Sequence, residues 1–119
     1  MSRQRELKAA YKREARPMGL YAVRNTRTAT AYIGAAVDLD GILNRSRFEL
    51  KMGGHTNKAL AADLKAHGLD AFAFEVVDRL EPREGQDDRA ELEMLLKMRL
   101  EEGLTAADGS PIRLIPIAV

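Results

Sequence analysis

The 119 residues contain no cysteine, no tryptophan and only two histidines, and aromatic residues make up 5% of the chain. Without cysteine there are no disulfides, no thiolate zinc or iron–sulfur ligation and no thiol nucleophile. Two histidines are too few for a three-histidine metal site. No apolar run approaches the roughly 20 residues that a membrane-spanning helix needs. The N-terminus alternates charges where a secretory signal would carry an apolar stretch. These absences predict a soluble, cytoplasmic domain with no membrane contact. At 119 residues it is long enough to bury a core of its own without covalent staples.

What is present is charge, unevenly spread. Nineteen basic residues nearly balance eighteen acidic ones, for a net charge of +1. Residues 1–16 nevertheless carry six basic side chains against two acidic, and residues 41–58 carry four against one. Residues 75–102 hold ten acids and five bases. A basic first half suits a polyanion such as nucleic acid, because each phosphate contact releases counterions. Solvated helix faces give the same counts. Arg13, Arg47, Lys51 and Lys58 are the candidate phosphate contacts.

The hydrophobic spacing predicts the order α-β-β-α-α-β-α followed by an apolar tail. Ser2 to Ala15 reads as a basic helix ended by Arg16-Pro17. Leu20–Arg24 and Thr30–Ala35 read as the strands of a hairpin across the polar turn Asn25–Thr28. Asp38 caps a helix running to about Met52, before Gly53-Gly54. Thr56 or Asn57 caps a second helix, Lys58 to His67, which Gly68 ends. Phe72, Phe74 and Val76 alternate as one face of a strand. Asp87 or Asp88 caps a helix to Glu102, stopped by Gly103. Pro111 to Ile117 is an apolar tail, either an edge strand or an extended strap. The fold class expected is α+β, with a small, mostly antiparallel, three-stranded sheet flanked by helices. The basic helix of residues 1–17 precedes a single domain over 18–119. Leu92, Met94, Leu95, Leu96, Met98 and Leu100 make the 87–103 helix apolar on more than one side. It is therefore either a central core helix or a surface for self-association.

Three features invite chemistry. His67, just before the capping Gly68, sits where a helix dipole favours an imidazolium. His55 lies between Gly53-Gly54 and a helix N-terminus, where an anion would meet free backbone N–H groups, although a plain loop histidine fits as well. Gly19-Leu20-Tyr21 and Tyr32-Ile33-Gly34 place two tyrosines on neighbouring strands, each near a glycine that admits a close neighbour.

These two tripeptides, with ten residues (22–31) between the tyrosines, resemble the signature halves of the GIY-YIG nuclease family. Gly53-Gly54-His55-Thr56-Asn57-Lys58-Ala59-Leu60 is similar to the family's Gly-x-His-x-Asn-x-x-Leu stretch, and the likeness spans about residues 18–100. It implies an endonuclease that hydrolyses DNA phosphodiesters with one divalent ion, Mg²⁺ or Mn²⁺. The implied catalytic residues are Tyr21, Tyr32, Arg45 and His55, with Glu91 as metal ligand and Glu93 as its alternative. A different register puts that ligand position on Leu96. A phenol can relay a proton, a guanidinium can meet charge developing on phosphorus, and a hard carboxylate suits Mg²⁺. The family's arginine position, eight residues beyond Gly34, is Ile42, and its adjacent histidine position is Ser46. Arg45 lies one helical turn from Ile42 and can reach toward the same cavity. Losing one transition-state charge stabiliser typically costs roughly 100- to 1000-fold in rate. Two readings follow: a weakened nuclease, or a degenerate relative that binds nucleic acid or protein without cutting.

Overall fold

A computed structural model describes residues 17–55, 57–81, 85, 87–106 and 108–118. The basic helix expected over residues 2–15, with its candidate contact Arg13, lies outside the described residues. Among the described residues there are five strands: β1 (Met18–Asn25), β2 (Thr30–Ala36), β3 (Phe72–Leu80), β4 (Leu104–Thr105) and β5 (Pro111–Ala118). Three α-helices among the described residues accompany them: α1 (Leu39–Lys51), α2 (Lys58–His67) and α3 (Asp88–Glu102). The strand order is β3-β1-β2-β5-β4.

The α+β class stands, but the three-stranded sheet does not. The sheet has five strands and is mixed, because β5 runs parallel to β2 while the remaining neighbours are antiparallel. The tail of the sequence is therefore an integral strand. Its two prolines, Pro111 and Pro116, argue for an edge on propensity alone. Much of β5 is an edge: β4 pairs only with Pro111 and Ile112, leaving the outer side of residues 113–118 without a strand among the described residues. A two-residue strand such as β4 is too short to leave a period in the sequence.

The inner strand β1 is buried along nearly its whole length, since it has a strand on either side and helices on both faces. Its odd-numbered residues Tyr21 and Val23 pack with Leu39 and Leu43 of α1 and with Leu60 and Leu64 of α2. The even-numbered Leu20 packs with Leu92 and Leu96 of α3 on the opposite face. This is the period-two alternation of a strand read from both sides.

Helix starts follow the sequence. The Asp38 carboxylate accepts the Gly41 N–H at 3.1 Å, and the Asn57 side chain accepts the Leu60 N–H at 3.0 Å. Asp87 accepts from the N–H groups of Arg89 and Ala90. Such side-chain caps satisfy donors that a helix start leaves open, each worth about 1 kcal/mol. Arg99 ties α3 to β3 through a two-pronged bond to Asp78, with both N–O distances 2.9 Å. Leu92 and Leu96 are the buried residues of α3, whereas Met94 and Met98 stand exposed. No described helix is long and apolar enough to cross a membrane.

Candidate active site

Two glycines let the sheet accommodate Tyr21. On one side of β1, a side chain at Gly19 would collide with the Asp78 carbonyl of β3, and its φ of +153° is one that other residues rarely adopt. A register shift between Leu20 and Tyr21 follows directly. On the other side, Gly34 is the β2 partner of Tyr21, and a β-carbon there would stand 2.8–2.9 Å from the phenol. The ring thus lies against bare backbone, and Tyr21 is 2% exposed.

From there Tyr21 lines a hollow of about 300 Å³ together with Ile42, Ser46, Glu49, His55 and Asn57. Ile42, Ser46 and Glu49 are spaced four and three apart, so α1 presents them as one stripe. His55 comes from the α1–α2 connection. Its Nδ1 accepts the Asn57 N–H at 3.0 Å, and its Nε2 lies 3.7 Å from Glu49 Oε2. With Nδ1 accepting, the neutral imidazole carries its proton on Nε2 and presents that N–H as a donor. The other Glu49 oxygen, Oε1, accepts from Arg45 Nε at 2.9 Å. Arg45 itself is largely in solvent, its side chain 67% exposed.

The electrostatics follow from this enclosure. Burial raises the Tyr21 pKa above 10, the Glu49 carboxylate adds to the rise, and the Arg45 guanidinium opposes it. Burial also lowers the His55 pKa below 6.5; Glu49 works against that shift and Arg45 with it. At neutral pH the hollow therefore holds a protonated phenol and a neutral imidazole, both able to donate hydrogen bonds, beside one carboxylate that can accept.

Tyr32 shares a sheet face with Tyr21 but is not among the residues lining this hollow. Its hydroxyl donates to Asp63 Oδ2 at 2.9 Å, while Asn25 Nδ2 donates to Asp63 Oδ1 at 2.8 Å. Asn25 is fully buried, and His67 Nε2 sits 3.6 Å from the same carboxylate oxygen. Burial together with the Asp63 bond pushes the Tyr32 pKa up to about 12. This second tyrosine joins β1, β2 and α2.

The remaining sequence candidates are dispersed. Glu91 on α3 is half-buried and does not line the hollow; Glu93 is exposed, 4.0 Å from Arg89. Arg47 places its guanidinium 5.1 Å from the centre of the Phe74 ring. Lys51 and Lys58 are exposed on α1 and α2. Glu49 is the acidic residue that sequence reading passes over as one acid in a basic segment. The signal that could find it is its seven-residue distance from Ile42, two helical turns along the same stripe.

Among the described residues no group of three or more His, Cys, Asp or Glu side chains is arranged to hold a metal ion. Mg²⁺, however, is commonly held by one or two carboxylates together with substrate phosphate and water rather than by a protein cage. Glu49, the only carboxylate among the described residues that line the hollow, fits an ion of that shared kind.

No protein-family model matches the chain, and no curated protein matches it. Two solved structures do match. The catalytic domain of homing endonuclease I-TevI is 19% identical, with a TM-score of 0.60, and the match covers 82% of this chain and 97% of that one. A mutant of the catalytic domain of intron endonuclease I-TevI is 20% identical, with a TM-score of 0.51, covering 69% of this chain and 75% of that one. The chain is thus similar in fold to an endonuclease catalytic domain.

Proposed function

We propose that this chain is a divergent GIY-YIG-type endonuclease domain that binds DNA and hydrolyses its phosphodiesters slowly. The observation that carries the reading is the meeting of Tyr21, Glu49 and His55 around one hollow, in a fold similar to an endonuclease catalytic domain. The Tyr21 hydroxyl and the His55 Nε2–H are donors suited to non-bridging phosphate oxygens. Such donors act best in an enclosed site, where they need no reorganisation as charge develops. Arg45 adds positive charge at the edge of the hollow and orients Glu49 through their bond. Glu49 is the residue that would hold Mg²⁺ or Mn²⁺, and the ion, when bound, would supply charge against the phosphate oxygens. Ile42 contributes none of the charge that an arginine would give, which sets the expected rate below that of a full site by roughly 100- to 1000-fold. Lys51, Lys58 and Arg47 would add salt-sensitive affinity along the backbone of the nucleic acid.

The test is nicking of supercoiled plasmid by the purified chain with Mg²⁺ or Mn²⁺. Activity is expected to vanish with EDTA and to fall at least tenfold in each of Tyr21→Phe, Glu49→Gln and His55→Ala. Nicking that survives Tyr21→Phe and Glu49→Gln unchanged would overturn the assignment. Salt-sensitive DNA binding with no cleavage under any divalent ion would leave the non-cutting relative instead.

A further inference from the structure

A second hollow also borders Tyr21. It measures about 460 Å³ and lies where the end of β2 faces the first turns of α1 and α3. Its walls are mostly apolar, with Ala35, Val37, Ile42 and Leu92 beside the Tyr21 ring; two charged side chains also line it, Arg89 and Asp38, whose carboxylate accepts the Gly41 N–H as the α1 cap. The volume falls within the roughly 300–1,000 Å³ usual for small-molecule sites. Arg89 is 75% exposed along its side chain, and among the described residues its ion pair, to Glu93, is long at 4.0 Å. Its guanidinium is therefore available to an incoming anion or base edge. Tyr21 and Ile42 line both hollows, so the polar and apolar sites share a wall.

Resting on the endonuclease reading, we propose that the apolar hollow receives an unpaired nucleobase while the adjoining polar hollow holds a phosphate of the same strand. The substrate class is then DNA with an extrahelical or single-stranded nucleotide at the site. A base has flat apolar faces that suit Ile42, Leu92 and the Tyr21 ring, and polar edges within the scope of Arg89. Phosphate meets the donors of Tyr21 and His55 next door. A paired base must first leave its stack at a cost of a few kcal/mol, whereas a bulged base is already free, so the pocket itself selects unpaired substrate.

The experiment compares binding of a short duplex carrying one bulged 2-aminopurine with the same duplex fully paired, in EDTA, followed by cleavage of both in Mn²⁺. The bulged duplex is expected to bind at least tenfold more tightly, with a change in 2-aminopurine fluorescence as the base enters the hollow. Val37→Asp and Arg89→Glu, both at exposed positions that leave the core intact, are expected to bring the bulged duplex to the level of the paired one. Circular dichroism verifies that the variants fold. Equal affinity for the two duplexes, or a preference untouched by Val37→Asp, overturns the pocket assignment. If the paired duplex is still cut in that case, the endonuclease reading survives alone. If neither duplex is bound or cut, both fall.

Discussion

The phenol of Tyr21 rests on the bare α-carbon of Gly34 across the β1–β2 ladder, and the two residues define one position between them. A β-carbon at Gly34 would come within 2.8 Å of the Tyr21 hydroxyl oxygen and 2.9 Å of the ring. Real side chains do not tolerate such approaches, so Gly34→Ala must push the ring or spread the strands. Overpacking of this kind costs about 1–3 kcal/mol. Thermal denaturation is expected to show that loss, and nicking should fall with it because the hydroxyl is displaced from the hollow. Gly34→Ala with unchanged melting and unchanged activity would mean that the ring has room the structure does not show.

The second tyrosine should behave differently. Tyr32→Phe removes the donor from Asp63 Oδ2 and leaves a largely enclosed carboxylate oxygen short of a partner. The expected cost is about 1–3 kcal/mol of stability, read from urea unfolding. Nicking per folded molecule should remain within a few-fold of the parent, since Tyr32 does not line the hollow. A Tyr32→Phe variant that melts normally but has lost cleavage would place its hydroxyl in the chemistry.

Much of this arrangement is legible in the sequence, and the parts that are not have physical causes. The caps at Asp38, Asn57 and Asp87 are visible because a short polar side chain before an apolar period has few other uses. The tyrosine–glycine pairs are visible because glycine inside a strand signals a close neighbour. β5 is harder to read: its pairing with β2 is parallel and joins residues about eighty positions apart, and its prolines weigh against a strand. Glu49 is masked in another way. Its role depends on which face of α1 meets the sheet, and only packing decides that. The two tyrosines look equivalent in the sequence, yet one reaches a hollow and the other a carboxylate, according to which helix lies over each.

Burial of His55 gives stability a predictable pH dependence. In the unfolded chain its imidazole takes up a proton near its ordinary value of 6.5, whereas in the folded protein the pKa is lower. Between those two values the unfolded state binds more protons, so this residue's contribution to stability falls as the pH drops below 6.5. It levels off below the folded value and is fully present above 6.5. The difference between the parent and His55→Asn in melting temperature, followed from pH 8 downward, should shrink on the acid side. An NMR titration should place the His55 midpoint below 6.5. A midpoint above it would mean that Glu49 outweighs burial.

Ile42 separates the two hollows, which makes it the most informative single substitution. Ile42→Arg introduces a guanidinium on the stripe that carries Ser46 and Glu49, next to the Tyr21 phenol. If the hollow lacks only charge on the developing phosphate oxygens, nicking of paired plasmid should rise by roughly tenfold or more, within the 100- to 1000-fold that such a group can supply. The same long side chain would occupy the wall of the apolar hollow and weaken the preference for a bulged base. A gain in cleavage of paired DNA with a loss of bulge preference is therefore the expected joint outcome. If Ile42→Arg folds but cleaves no faster, the missing arginine is not what limits the site, and the arrangement of Glu49 and His55 would have to account for the slow rate.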